Sequence, residues 1–262
     1  MKIIFLNIWK GVMFGSLMDF LKHAAHDTDF FCLMEVTDSP RALTTLIGGR
    51  TNMFSEISAA LSGFNGYYAR ACTGFDEGSM IDFELSQGQA IFARNGIPID
   101  SNGEVLLYGD KDMTPRYEPD WNPPTILQYV RFSTEDGRYT LASMHGMAYP
   151  GSKLDTPDRL EQSRKLLSFF ANEEGEKIVG GDFNLLPQAE SIGMIEKAGM
   201  RNMVKEFNIA STRNELAYGS YPEAERQYFA DYAFISPGVR VVDFQVPNLS
   251  ISDHLPLMLE FA

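Results

Sequence analysis

Two short segments carry the residues with the strongest chemical character. "KIVGGDFNLLP" (177–187) runs an apolar stretch into two glycines and then sets an acid and an amide two residues apart, Asp182 and Asn184. "SDHLPLMLEF" (252–261) opens on Ser252, Asp253 and His254 and continues as an apolar run. Read alone, the first segment is a polar turn built from the usual turn residues, and Pro187 rules out a long continuation of the strand. Strand side chains alternate, so Asp182 and Asn184 are expected on one face with Phe183 pointing into the core. The same punctuation recurs elsewhere: "IIFLN" ends on Asn7, "FFCLME" on Glu35 and "TLASMH" on His145, while "DYAFIS" begins on Asp231. If the two runs that begin on polar residues lie antiparallel to the four that end on them, all these side chains meet along one rim.

That gathering joins the carboxylates of Glu35, Asp182, Asp231 and Asp253 with the amides of Asn7 and Asn184 and the imidazoles of His145 and His254. Close carboxylates resist joint ionisation unless a positive charge offsets them. A hard cation such as Mg²⁺ takes oxygen ligands from one or two of them and keeps several waters. A phosphate ester completes the coordination and is polarised by the metal, while imidazoles and amides donate to the oxygens that gain charge. Other pairings fail on chemistry. His23 and His26 in "HAAH" have no third ligand nearby. Ser252, Asp253 and His254 are contiguous and cannot form the relay of a hydrolase triad. Without CxxC or a Cys/His cluster, Cys32 and Cys72 do not make a thiolate zinc site.

Ten short runs rich in Ile, Val, Phe, Tyr and Leu, bounded by Gly, Pro, Asp or Asn, predict the strands that must position these residues. "GSLMDFLKHAAH" spaces Leu17, Phe20, Leu21 and Ala24 as a helix does. "TPDRLEQSRKLLSFFANEEG" opens on Thr156 as N-cap with Pro157 at the first helical position, and its expected apolar stripe is Leu160, Leu167 and Phe170. Many strands with few helices, several of them consecutive, point to an α/β fold of two mixed sheets packed face to face with helices outside. With no repeat or linker, residues 1–262 read as a single domain. The irregular stretches 109–124 and 146–155 are expected to be binding loops.

The balance of 22 basic against 35 acidic residues, a net charge of −13, opposes a protein that grips many phosphates of a nucleic acid. It leaves room for an anionic substrate held through a bound cation. The N-terminal "MKIIFLNIW" lacks the long apolar region and cleavage site of a signal peptide, and no apolar run approaches a membrane span. A cytoplasmic monomer is the default expectation, with no basic amphipathic stretch for a membrane surface.

"GGDFN", "SDH" before the final strand, a strand-terminal Glu, an early Asn-x-Trp and a mid-chain His together resemble the endonuclease/exonuclease/phosphatase superfamily of Mg²⁺-dependent phosphoesterases. The resemblance spans the whole chain and implies a four-layer α/β/β/α sandwich. It implies Glu35 as principal Mg²⁺ ligand with Asn7 beside it, and Asp253 as a further acidic ligand or an orienter of the metal water. Mn²⁺ would serve as a substitute. It further implies Asp182 as the acid that positions or activates water, Asn184 as a donor to the phosphate, His254 with Asp231 as the catalytic imidazole pair, and His145 as a charge stabiliser or leaving-group acid. Either Asp182 or His254 could take the proton from water. "STR" (211–213) offers Thr212 and Arg213 to a phosphate or forms a plain strand edge; Arg213 is the candidate substrate-binding residue. Trp9 stands where several nucleases of the family carry a second acid, and Gln87 or Gln89 stands in the stretch where a Glu partners the mid-chain His. These departures favour a phosphodiesterase acting on a small or lipid-like ester by in-line attack of a metal-organised water. The alternatives are a nuclease on DNA or RNA and a non-catalytic phosphate-binding module.

Overall fold

The computed structural model describes residues 1–77, 79–111 and 121–262. In chain order its strands are β1 (Lys2–Asn7), β2 (Phe30–Asp38), β3 (Phe64–Thr73), β4 (Phe75–Asp76), β5 (Ser79–Met80), β6 (Ser86–Arg94), β7 (Ile99–Tyr108), β8 (Thr125–Thr134), β9 (Gly137–His145), β10 (Glu176–Asp182), β11 (Arg201–Asn202), β12 (Asp231–Ile235), β13 (Val241–Gln245) and β14 (Leu257–Phe261). The α-helices are α1 (Phe14–Ala24), α2 (Met53–Ala60), α3 (Pro157–Ala171), α4 (Glu190–Lys197), α5 (Met203–Glu206) and α6 (Glu215–Tyr218). One sheet runs β13-β14-β1-β2-β6-β3, a second β11-β12-β10-β9-β8-β7, and β4 and β5 form a small hairpin.

Alternation along β1 shows why the layers stack as they do. Ile3 and Phe5 face the second sheet in a core shared with Leu127, Leu141 and Ile178. Ile4 and Leu6 face outward into a core with Leu17 and Leu21 of α1 and Met53 and Ile57 of α2. A strand buried on both faces reads as an unbroken apolar run, which is what "IIFL" is. On the far side, α3 and α4 place Leu166, Phe170, Ile192 and Ile195 against the second sheet. The result is the expected four-layer sandwich. The polarity rule also holds: β1 lies parallel to β2 and β9 to β10, whereas β12 and β14 run antiparallel to β10 and β1.

Two expectations are corrected. Helix α3 begins as predicted, with the Thr156 hydroxyl accepting from Arg159 N at 3.1 Å. Its buried face, however, is Arg159, Gln162, Ser163, Leu166 and Phe170 rather than an apolar stripe through Leu160 and Leu167. The polar members serve the loop at 146–155. Fully buried Arg159 donates to the carbonyls of Leu154 at 2.6 Å, Met147 at 3.0 Å, Pro150 at 2.9 Å and Ala148 at 3.3 Å. Strand β3, "FNGYYARACT", was not expected; it is the edge of its sheet, where one-sided burial blurs the apolar pattern. Of the other irregular stretch, 109–124, residues 112–120 lie outside the described residues.

Removing a buried donor that serves several carbonyls leaves those carbonyls unsatisfied, at about 1–3 kcal/mol for each that water cannot reach. Arg159→Met should therefore destabilise the protein by about 2–4 kcal/mol, read from the urea midpoint at an unchanged slope. A loss under about 0.5 kcal/mol would show that the guanidinium does not hold the loop.

Candidate active site

The rim is assembled from register. Asp182, the last residue of β10, pairs with His145 of β9 on one side and with Asp231 of β12 on the other, so three neighbouring strands deliver an imidazole and two carboxylates side by side. The double glycine before Asp182 has a steric cause. A Cβ on Gly180 would meet the Phe5 ring of the opposite sheet at 2.7 Å, and one on Gly181, at φ +135°, would lie 2.2 Å from the Met144 carbonyl oxygen. On the other sheet, Asn7 pairs with Met34, and the following residue, Glu35, sits in a β-bulge at φ 55°. A bulge re-aims a side chain, and here the carboxylate turns toward the rim instead of following the pleat.

Asn7 joins the two sheets. Its Nδ2 donates to Glu35 Oε1 at 3.0 Å and to Asp182 Oδ2 at 3.1 Å, while its Oδ1 accepts from Trp9 N at 3.0 Å. His145 Nε2 lies 3.5 Å from Asp182 Oδ2 and 3.9 Å from Glu35 Oε1. On the other flank, His254 Nε2 lies 3.7 Å from Asp182 Oδ2, and its Nδ1 meets Asp231 Oδ2 at 2.8 Å. Asp253 faces His254 Nε2 at 3.9 Å and Arg213 at 3.3 Å. Asn184 departs from the expected strand alternation. It lies beyond β10 at φ 54°, its N donates to Asp182 Oδ1 at 2.8 Å, and its Nδ2 to the Gly146 carbonyl at 3.1 Å. It is thus held by a side-chain-capped turn, the arrangement that Asp favours two residues upstream.

Burial alone would lower the His254 imidazole, but the carboxylates of Asp231, Asp253 and Asp182 outweigh it and raise its pKa to about 10. Burial and the Asp182 charge push the Asp231 carboxyl up to about 6, against the opposing pull of His254. The proton between the two therefore rests on the imidazole. Burial would also raise Asp182, yet His254, His145, Lys153 and Arg213 together hold it below the usual carboxylate range.

Several contributors were not visible in the sequence. Lys153, in the loop that Arg159 ties down, donates to the Asn184 amide oxygen and to the Ala148 carbonyl at 2.7 Å. Burial brings its ammonium down to about 8 against the pull of Asp182. Only the expectation that 146–155 is a binding loop pointed toward it. Thr212 turns its hydroxyl to the backbone N–H groups of Ala230 and Asp231, both at 3.1 Å, so it positions Asp231 and does not face a phosphate. Ser252 Oγ donates to the Asn7 carbonyl at 2.7 Å and ties the "SDH" segment to β1. Neither glutamine substitutes for a carboxylate at His145: Gln87 donates to the Phe75 carbonyl at 2.6 Å and Gln89 to the Ser143 carbonyl at 2.8 Å.

The donor set fits a hard cation. Asp182, Asp231 and His254 offer ligand atoms within 4.8 Å of one another, but the His254–Asp231 pair is already closed by its hydrogen bond. The opening lies at Glu35, whose side chain is partly exposed beside buried Asp182, an all-oxygen corner of the kind Mg²⁺ takes.

Two mixed sheets packed between helices, with acids, amides and imidazoles at one rim, define a phosphoesterase-type sandwich. The chain belongs to the endonuclease/exonuclease/phosphatase family, whose model matches residues 5–254. The fold is similar to that of an endonuclease/exonuclease/phosphatase from Beutenbergia cavernae, with a TM-score of 0.76 and 18% identity over 99% of this chain and 70% of that one. It is similar to a mannosyl-6-phosphatase from Bacteroides thetaiotaomicron, TM-score 0.67 and 17% identity over 100% and 99% of the two chains. The human Nocturnin catalytic domain with bound sulfate matches at 0.67 and 18% identity over 100% and 94%. No curated protein sequence matches the chain significantly.

Lys153 is charged below its pKa of about 8 and neutral above it. Sulfate keeps its charge across this range, so any sulfate affinity that draws on Lys153 should fall as pH rises through 8 in the wild type and fall less steeply in Lys153→Met, where the His254 imidazolium still titrates. Calorimetric titration from pH 6.5 to 9.5 checks this; parallel curves would remove Lys153 from the anion site.

Proposed function

We propose that residues 1–262 form a single catalytic domain that hydrolyses a phosphodiester with a divalent cation, Mg²⁺ or Mn²⁺, by in-line attack of water. The observation that carries this reading is the continuous chain Glu35–Asn7–Asp182–His254–Asp231, closed by hydrogen bonds and short charge contacts across both sheets.

Glu35, its carboxylate oriented by the Asn7 amide, would hold the cation, which would supply Lewis-acid polarisation of a phosphoryl oxygen. Asn184 and Lys153, already joined to each other, donate to the non-bridging oxygens. Arg213 stands by Asp253 and adds a second positive charge on the same side. With its proton held by three carboxylates, His254 works as a charged donor to the developing negative charge. Asp231 fixes its ring orientation. Asp182, kept ionised by the surrounding cations, is then the group left to accept a hydrogen bond from the attacking water. His145, open to solvent beside Glu35 and Asp182, serves the leaving oxygen.

The acidic chain favours a small or lipid-like ester over a polynucleotide. Among the described residues no helix is long and apolar enough to cross a membrane.

His254→Ala should lower turnover of bis(4-nitrophenyl) phosphate by about 10²–10⁴-fold with an unchanged circular dichroism spectrum; near-normal rates would refute the role. Chelation should abolish turnover and Mn²⁺ restore it, while Glu35→Gln should weaken Mn²⁺ binding by calorimetry at least about tenfold. Equal Mn²⁺ affinity in the variant would move the metal away from Glu35. A steep loss of rate between low and moderate salt would instead point to a polyanionic substrate.

A further inference from the structure

We infer that the cavity beside Glu35 and His145 receives an aromatic ring carried on the phosphate ester, which sets the substrate class of the reading above and rests on it.

The cavity has a volume of about 650 Å³ and lies between the rims of the two sheets. That is within the usual range of roughly 300–1,000 Å³ for small-molecule pockets. Glu35 and His145 line one end, so a group bonded to a phosphate at the rim enters it directly. The rest of the lining is mostly apolar, with Phe75, Trp121, Pro123, Ile126, Met147 and Tyr149 as its larger members.

Charge separates this cavity from the anion side of the rim. Among the described residues the one cation in its lining, Lys10, is spent on Asp76 at 3.0 Å and on Glu77. Lys153 and Arg213 are absent from the lining and stand instead at Asn184 and Asp253. A phosphate bound at the rim would therefore have its charged oxygens toward Lys153 and Arg213. Its organic substituent would point into a space where the described residues offer no unpaired cation.

The lining selects a flat ring over an alkyl chain. Phe75 and Trp121 meet edge to face, with centroids 5.1 Å apart and planes at 62°. Tyr149 adds a third aromatic side chain that is 48% exposed. Aromatic rings pack on such surfaces in offset or edge-on geometry and gain from it beyond their buried area.

The test uses three methyl phosphodiesters that differ in the second group: adenosine 5′-phosphate methyl ester, methyl phenyl phosphate and methyl hexyl phosphate. Hydrolysis is followed by ³¹P NMR with Mg²⁺. Trp121→Ala should lower kcat/KM for the two aromatic esters by about tenfold or more, mainly through KM, and leave the hexyl ester within about twofold. Phe75→Ala, outside the catalytic rim, should repeat the pattern if the first variant folds poorly. A larger loss with adenosine than with phenyl assigns the ring to a nucleobase; equal losses assign a simple aryl group. Equal loss for all three esters, or a preference for the hexyl ester, would overturn the inference in favour of a general or lipid-like pocket.

A binding measurement stands apart from turnover. The chain has two tryptophans, so Trp9→Phe leaves Trp121 as its only indole. Saturable quenching by methyl phenyl phosphate, stronger than by methyl hexyl phosphate, supports the ring site even if no ester is hydrolysed. No differential quenching through the millimolar range would overturn it.

Discussion

The site depends on one cross-sheet hydrogen bond, from Asn7 Nδ2 on the first sheet to Asp182 Oδ2 on the second. Two stacked sheets ordinarily stand about 10 Å apart, so their rims meet only where a backbone can come close. Gly180 supplies that approach by leaving room for the Phe5 ring. A side chain there would push the layers apart at the strand ends that hold Asn7 and Asp182. The core residue and the rim residue on β1 are therefore coupled: Phe5 sets the spacing that Asn7 uses two residues later.

Electrostatics follows from that spacing. Four carboxylates crowd one rim in a chain of net charge −13, and each is compensated differently. Asp231 is compensated by an imidazolium, Asp182 by two imidazoles with Lys153 and Arg213 nearby, and Asp253 by Arg213. Glu35 has an amide donor, a distant imidazole and the longer-range charges of Lys10 and Lys153. It is also the most exposed of the carboxylates that meet His145. Arg213 is committed to Asp253, leaving Lys153 the more available positive group.

Much of this was legible before any coordinates, because strands buried on both faces write themselves as unbroken apolar runs with polar residues only at their ends. "IIFLN", "TLASMH" and "IVGGD" mark the rim by that contrast alone, and antiparallel placement of β12 and β14 follows from their opposite punctuation. What stayed hidden depends on turns and on distant partners. Asn184 looked like a strand residue because its spacing from Asp182 is even, yet the chain bends between them. Lys153 is a lone lysine whose meaning comes from Arg159, itself on a helix face other than the one whose spacing looked apolar. Thr212 could be read as a phosphate donor or as part of a strand edge, and its hydroxyl holds the backbone at Ala230 and Asp231, a distinction no residue type encodes. Strand β3 was missed because an edge strand has one wet side.

Strand β1 pairs on one side with β2 and on the other with β14, and Ser252 reaches back 245 positions to the Asn7 carbonyl. Such closure must wait for the most distant partner, and the chain entropy of bringing it in is met before any contact repays it. During synthesis β1 emerges well before β14. Until then its outer edge is an open row of amides and carbonyls of the kind that recruits foreign strands. The nascent chain thus carries an inactive half-rim and an unguarded border together, and the same docking event completes the one and seals the other.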